Sequence, residues 1–147
     1  MTACQRLTSG EFEDWLPLWQ GYLTFYKAQV PAATTQLTFE RLTGGAEPMG
    51  GFIARDAQAS AIGIVHWIQH RSCWSSGDYC YLQDLFVAPG QRNGGTGRQL
   101  IAAVYAEATS RGCARVYWLT HETNTDAMKL YDKVAERSGF LQYRKQL

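Results

Sequence analysis

Residues 81–108 read YLQDLFVAPGQRNGGTGRQLIAAVYAEA, and this stretch restricts the fold more than any other. Its opening is apolar and aromatic, as a strand requires. Its close carries Leu100, Ile101, Val104, Tyr105 and Ala108 at helical steps of three and four, with Gly112 as the stop. Between the two, Gly94, Gly95 and Gly97 strip side chains from the backbone where the helix begins. The first N–H groups of a helix have no intrahelical partner and carry the positive end of its dipole, so a strand entering a helix through glycines is an anion site. Arg92 adds a cation with several donors in a fixed plane.

The flanking segments predict the rest of an α/β domain. ACQRLT suits a short first strand. Phe12, Trp15, Leu16, Trp19, Leu23 and Tyr26 form one helical stripe, and Thr8 with Glu11 has the spacing of a capping box. Pro17 removes a donor inside that stripe, so the helix is expected to start near Asp14 or to kink. VPAA breaks it, and TTQLTFERLTG reads as a short second helix closed by glycine. GGFIARD, AIGIVHWIQH and YCYLQDLFV, separated by turn-forming residues, predict an antiparallel meander. ARVYWLTH reads as a further strand. NTDAMKLYDKVAERSG reads as a helix with Ala127, Leu130, Tyr131 and Val134 on one side and Gly139 at its end. FLQYRKQL is expected to close the chain as a strand. The alternation predicts a mixed sheet with helices on it.

Composition narrows the partners. The 147 residues suit one domain, 1–147, and 46% apolar residues are ample for a core. A net charge of +1 offers no bulk attraction for nucleic acid or an anionic membrane. No apolar run approaches a membrane span or a leader's apolar region. Cys4, Cys73, Cys80 and Cys113 lack metal-ligand spacing, as do His66, His70 and His121, and four free thiols fit a reducing, cytoplasmic compartment. Trp15, Trp19, Tyr22, Phe25 and Tyr26 crowd one helical segment, more aromatic surface than one face easily buries, which predicts a homodimer or higher homo-oligomer.

The loop lacks the GKS or GKT ending of a Walker A motif and the third glycine of a Rossmann fingerprint. It does fit R-x-x-G-x-G through Arg92, Gly95 and Gly97. With TNTDAMKLYDKVAERSGF following as N-x-x-A-x-x-x-Y…GF, the chain resembles the GNAT family of N-acetyltransferases over most of its length. YLQDLFV is similar to the YLEDLFV of polyamine acetyltransferases, and VYWLTHETN…LY to a yeast histone- and polyamine-type branch.

The resemblance implies a mostly antiparallel mixed sheet whose fourth and fifth strands splay to hold acetyl-CoA, and transfer of its acetyl group to a primary amine through a tetrahedral intermediate. The pantetheine arm is expected along the backbone of Leu85, Phe86 and Val87, with the Leu85 N–H facing the thioester carbonyl as an oxyanion donor. Arg92, Asn93, Gly94, Gly95, Thr96 and Gly97 are expected around the pyrophosphate, with Arg98 at its edge and Asn124 and Ala127 at further cofactor contacts. Tyr131 matches the family's general acid, a phenol able to protonate the departing thiolate. The base is less clear. Polyamine acetyltransferases carry a glutamate where this chain has Gln83, which cannot accept a proton. Asp84, Glu122 and water relays remain. Tyr26, Trp74, Gln83, Asp84 and Glu122 are the expected acceptor wall, and His66 and His70 are further pocket candidates. The acceptor is expected to be a small amine, a polyamine or an amino-acid-like compound. Acetylation of protein lysines or N-termini, and a non-catalytic acyl-CoA sensor, are the alternatives.

Overall fold

A computed structural model describes residues 2–92 and 94–147. Five strands form one sheet in chain order: β1 (Ala3–Arg6), β2 (Met49–Arg55), β3 (Ala61–His70), β4 (Tyr79–Val87) and β5 (Arg115–Tyr117). The first four are antiparallel neighbours, and β5 runs parallel to β4. Four helices flank the sheet: α1 (Phe12–Phe25), α2 (Ala32–Gly44), α3 (Thr96–Ser110) and α4 (Thr125–Val134).

Strand alternation sends alternate β3 side chains to opposite faces. Ile64 joins Trp15, Trp19, Phe39, Leu42, Ile53 and Phe86 beneath α1 and α2. Val65 and Trp67 join Leu82, Leu100, Ile101 and Val104 beneath α3, as does Ile62, the extra residue where the register against β2 shifts, with Leu130, Tyr131 and Val134 of α4 packed at the margin. The α1 aromatics therefore divide. Trp15 and Trp19 stack 5.6 Å apart inside the core, whereas Phe25 and Tyr26 at the end of the helix are 48% and 42% exposed.

α1 runs unbroken from Phe12 with Pro17 inside it. The helix is entered through a 3-10 turn at Ser9–Glu11, where the Glu11 carboxylate accepts the Thr8 N–H at 2.8 Å and pairs with Arg55 at 2.9 Å. That turn starts α1 earlier than Asp14. Pro17 then falls in its second turn, on the exposed side, and removes a single helical donor. α2 stops at Gly45, which adopts φ +74°.

Two features of β4 shape everything downstream. First, its register against β3 passes from His66↔Asp84 to Trp67↔Leu82, so Gln83 is an extra residue in a bulge. Second, β4 pairs with β5 only through Tyr79↔Arg115, Cys80↔Val116 and Tyr81↔Tyr117. The stacked rings of Tyr81 and Tyr117, 5.0 Å apart, close that short ladder. The next residue, Trp118, packs instead on Tyr131 of α4 at 5.4 Å.

The C-terminus departs from expectation. α4 ends at Val134, whose carbonyl accepts the Tyr105 hydroxyl at 2.8 Å, and Ala135 is already extended. FLQYRKQL forms no strand, and Phe140, Leu141, Tyr143 and Leu147 are 79% exposed or more. A strand needs an edge of matching length, and three-residue β5 is too short to supply one.

Gly51 on β2 lies where an added Cβ would sit 2.8 Å from the Val65 carbonyl of β3 and 3.2 Å from the His66 ring. A backbone oxygen in the middle of a sheet cannot step aside. Gly51→Ala is expected to destabilise the protein by about 1–3 kcal/mol, read as a lower urea midpoint at unchanged slope.

Candidate active site

The parting of β4 from β5 leaves backbone unpaired in the interior of a sheet. The Ala88 N–H bonds to the Ile62 carbonyl at 2.8 Å. Antiparallel ladders alternate, so the amides of Phe86 and Asp84 are the ones directed to β3, while those of Leu85 and Val87 point the other way, into the gap. Phe86 therefore offers no free amide there. Its ring packs beneath α1, where a Cβ on Gly21 would come within 2.9 Å of it.

At the far end of β4 the chain turns into the glycine loop. Arg92 donates through Nε to the Val87 carbonyl at 3.1 Å, and its guanidinium lies over the Phe25 and Phe86 rings at 5.4 and 5.7 Å. The two glycines of the R-x-x-G-x-G pattern do different work. Gly95, the residue before α3, holds φ +86°, and a Cβ there would meet nothing within 4 Å. It provides a left-handed turn beside open space, the arrangement an anion needs to reach backbone N–H groups. Gly97 instead allows α4 to approach, since its Cβ would lie 3.3 Å from the Leu130 side chain. Thr96 is buried at 3%, with its methyl close to Gly63. Gly94 and Arg98 are exposed beside the turn. Asn93 lies outside the described residues.

Across the gap, Asn124 precedes α4 and Ala127 is half-buried in its first turn. Tyr131, one further turn along, is half-buried against Trp118. Burial first, and then the Tyr26 phenol, push its pKa up to about 12. The Tyr26 phenol lies beside the Asn124 side chain and near enough to Asp84 to feel its charge, and burial raises its pKa. The end of α1 thus meets the start of α4 over the gap.

Asp84 is the half-buried carboxylate at the centre of this arrangement. His66 Nδ1 lies 2.9 Å from its Oδ2. The hydroxyl of Tyr22 faces it, with a pKa raised by burial first and by the Asp84 charge second, and burial followed by the same charge raises Tyr81. On the side of α2 a cavity of about 280 Å³ is lined by Asp84, Gln83, His66, Trp19, Arg41 and Glu47, among others. Gln83, set off by the bulge, is exposed at its rim.

One expected wall residue stands elsewhere. Trp74, 77% exposed, borders a separate cavity with His70, Tyr79 and Arg115, at the opposite end of β4 from Asp84. Glu122 is exposed in the turn before α4. Arg41 and Glu47, in contrast, carried no sequence signal. Each looks like an ordinary surface charge, and only the packing of α2 over β2 brings them to the cavity. Among the described residues no group of three or more side chains could hold a metal ion, and no helix is long and apolar enough to cross a membrane.

The Acetyltransferase (GNAT) family matches residues 12–135. The D-amino-acid N-acetyltransferase HPA3 of Saccharomyces cerevisiae is 34% identical over 134 residues, covering 90% of this chain and 83% of that one. The structure of AAC(6')-Iy in complex with the bisubstrate analog CoA-S-monomethyl-acetylneamine superimposes with a TM-score of 0.84 at 25% identity, covering 100% of this chain and 99% of the other. The same aminoglycoside N-acetyltransferase in complex with CoA gives 0.82 at 25% identity, over 100% and 96%. A ribosomal-protein-alanine N-acetyltransferase from Brucella melitensis, 17% identical with a TM-score of 0.81 over the whole of both chains, shares the fold. The sheet that parts at Tyr81, the glycine turn into α3 and the agreement of these relatives lead to one conclusion: the chain belongs to the GNAT family and is an N-acetyltransferase that uses acetyl-CoA as its acetyl donor.

Proposed function

We propose that this enzyme acetylates a small primary amine, most simply an amino-acid-like one, by direct attack of the amine. The observation that carries this reading is that Asp84 and Arg41 line one cavity of about 280 Å³. A zwitterionic acceptor has one charge for each: the ammonium lies toward Asp84 and the carboxylate toward Arg41, the latter in the geometry guanidinium favours. The name of the yeast relative, a D-amino-acid N-acetyltransferase, supports it. Glu47 in the same cavity favours a second reading, a diamine or polyamine held between two carboxylates. Thiol release from acetyl-CoA, measured over a panel of D- and L-amino acids, diamines and a lysine peptide, distinguishes them. Rapid turnover of the peptide with every small amine inert would reject the small-amine reading. Arg41→Gln is expected to raise KM for amino acids about 10- to 100-fold and to leave diamines unaffected.

Acetyl-CoA supplies the activated acetyl thioester. The pyrophosphate is assigned to Arg92, the Gly95 turn and the first amides of α3, and the pantetheine arm to the outward amides of Leu85 and Val87. Open space at Gly95 and two unpaired amides in the gap support this fit. The Leu85 N–H is aimed where charge develops on a carbonyl oxygen in the tetrahedral intermediate. Asp84 holds the ammonium and accepts its proton, the task that Gln83 cannot perform. Tyr131, its pKa pushed up to about 12, keeps its proton through neutral pH and gives it to the departing thiolate.

Gly95→Val forces a β-branched residue into a left-handed turn and is expected to abolish measurable CoA binding in calorimetry with the fold retained. Gly97→Val is expected to loosen α4 as well, seen as a lower unfolding temperature. Unchanged CoA affinity in a folded Gly95→Val variant would refute the loop assignment.

Tyr131→Phe is expected to lower kcat by about 10²–10⁴ at unchanged CoA affinity. Because ionisation of Tyr131 is displaced to about pH 12, it contributes no fall in rate between pH 7 and 10.

We also assign a homodimer and, from the four free thiols, a cytoplasmic location. Support for the dimer has moved from α1, whose tryptophans are core, to residues 135–147, whose exposed Phe140, Leu141 and Tyr143 would gain a sheet edge from a second copy. Light scattering is expected to give twice the chain mass, and truncation after Gly139 to halve it. A monomeric full chain would reject the assignment.

A further inference from the structure

The buried residues Trp15 and His66 lie outside the chemistry assigned so far, yet both connect to Asp84. The Trp15 ring is fully buried beneath α1, and its Nε1 is 3.0 Å from His66 Nε2. His66, 2% exposed, lies with Nδ1 2.9 Å from Asp84 Oδ2. An indole N–H can only donate, so Nε2 must present a lone pair. That leaves the imidazole proton on Nδ1, donated to the carboxylate. The contact is thus a hydrogen bond from a neutral ring and not an ion pair. A second proton on Nε2 would face the indole N–H inside the core and cost a buried hydrogen bond.

We propose that Trp15 and His66 form a positioning relay, in which the indole fixes the histidine tautomer and the histidine fixes Asp84, so that the second carboxylate oxygen is presented to the acceptor cavity. His66 borders the same cavity and looks like the site's histidine base. The relay assigns it the opposite role: with Nε2 occupied it takes no proton from the amine, and Asp84 is the end of the proton path. The bulge at Gln83 contributes, because it restores Asp84 to the α1 face directly opposite His66. The inference rests on the reading of Asp84 as the carboxylate that receives the amine.

Titratable and charged groups surround the pair from each packed element: Asp84 and Tyr81 on β4, Tyr22 and Tyr26 at the end of α1, Arg41 on α2 and Glu47 before β2. None donates to Nε2, which is reserved to Trp15. Trp15→Phe keeps an aromatic ring and removes that donor. A histidine so released no longer has its tautomer fixed and can turn either ring nitrogen toward Asp84. The variant is expected to show both imidazole tautomers and a lower kcat/KM for the acceptor, with KM for acetyl-CoA unchanged.

The test joins spectroscopy of the free protein to kinetics. Imidazole ¹⁵N shifts of the parent are expected to show His66 as the Nδ1–H tautomer. His66→Ala is expected to lower acceptor kcat/KM about 10- to 100-fold with KM for acetyl-CoA unchanged. His66→Asn, which can offer an amide N–H near the Nδ1 position, is expected to recover most of that loss. An Nε2–H tautomer in the parent, or equal activity of folded His66→Ala and the parent, would each overturn the relay. If the tautomer is as expected but Asp84→Asn leaves acceptor kinetics unchanged, the assignment of Asp84 fails instead. Thermal unfolding of each variant identifies any loss that is only loss of fold.

Discussion

Everything at this site depends on two strands that pair for three residues and then part. β4 and β5 are joined from Tyr79 to Tyr81, and beyond the stacked Tyr81–Tyr117 pair the chain after β5 turns toward α4. Unpaired amides inside a sheet are costly, and their natural remedy is another extended chain. The gap is therefore an incomplete sheet, open to such a chain. Backbone donates there, which explains why Leu85 and Val87 can be apolar at a polar site. Their side chains belong to the core beneath α3 while their amides face the gap.

The bulge at Gln83 is the second constraint. Without the extra residue, side chains on β4 would keep a strict alternation, and Tyr81 and Asp84, three apart, would fall on opposite faces. With it, both turn toward α1, where Tyr22 and Tyr26 enclose the carboxylate and His66 anchors it. Among the described residues the carboxylate has phenols and an imidazole around it and no Lys or Arg ion pair. The same bulge sets Gln83, exposed, at the rim of the cavity.

The glycine loop shows how one pattern can serve two ends. Gly95 is required by a backbone angle and by open space in front of it, and Gly97 by the approach of Leu130. Both keep the R-x-x-G-x-G spacing, yet only the first leaves open space in front of its backbone. The second ties the loop to α4 through Leu130, one residue from Tyr131. Arg92 is held between the Phe25 and Phe86 rings, so the aromatic end of α1 orients a charge as well as covering the core.

Much of this was legible in residue order. Periodicity marked the four helices and the meander, because burying one stripe or one face requires it. The strand, glycine turn and helix were legible as one unit, and Tyr131 falls on α4 as its spacing to Asn124 predicts. Local pattern misjudged three places, each for a nonlocal reason. FLQYRKQL has the composition of a strand, but strands form only where an edge is available, and β5 offers three residues. Trp74 was an attractive pocket aromatic, but β4 carries its neighbours to the wrong end of the sheet. His66 read as a lone strand histidine, and its partners are 51 residues before it and 18 after. The sequence by itself determined the elements, the glycine turn and the family chemistry, since these depend on neighbours along the chain. Only the tertiary structure decided which charges meet, that Arg41 and Glu47 share a cavity with Asp84, and that a buried indole stands within hydrogen-bond reach of His66, because hydrogen bonds and cavities form between residues that the chain keeps far apart.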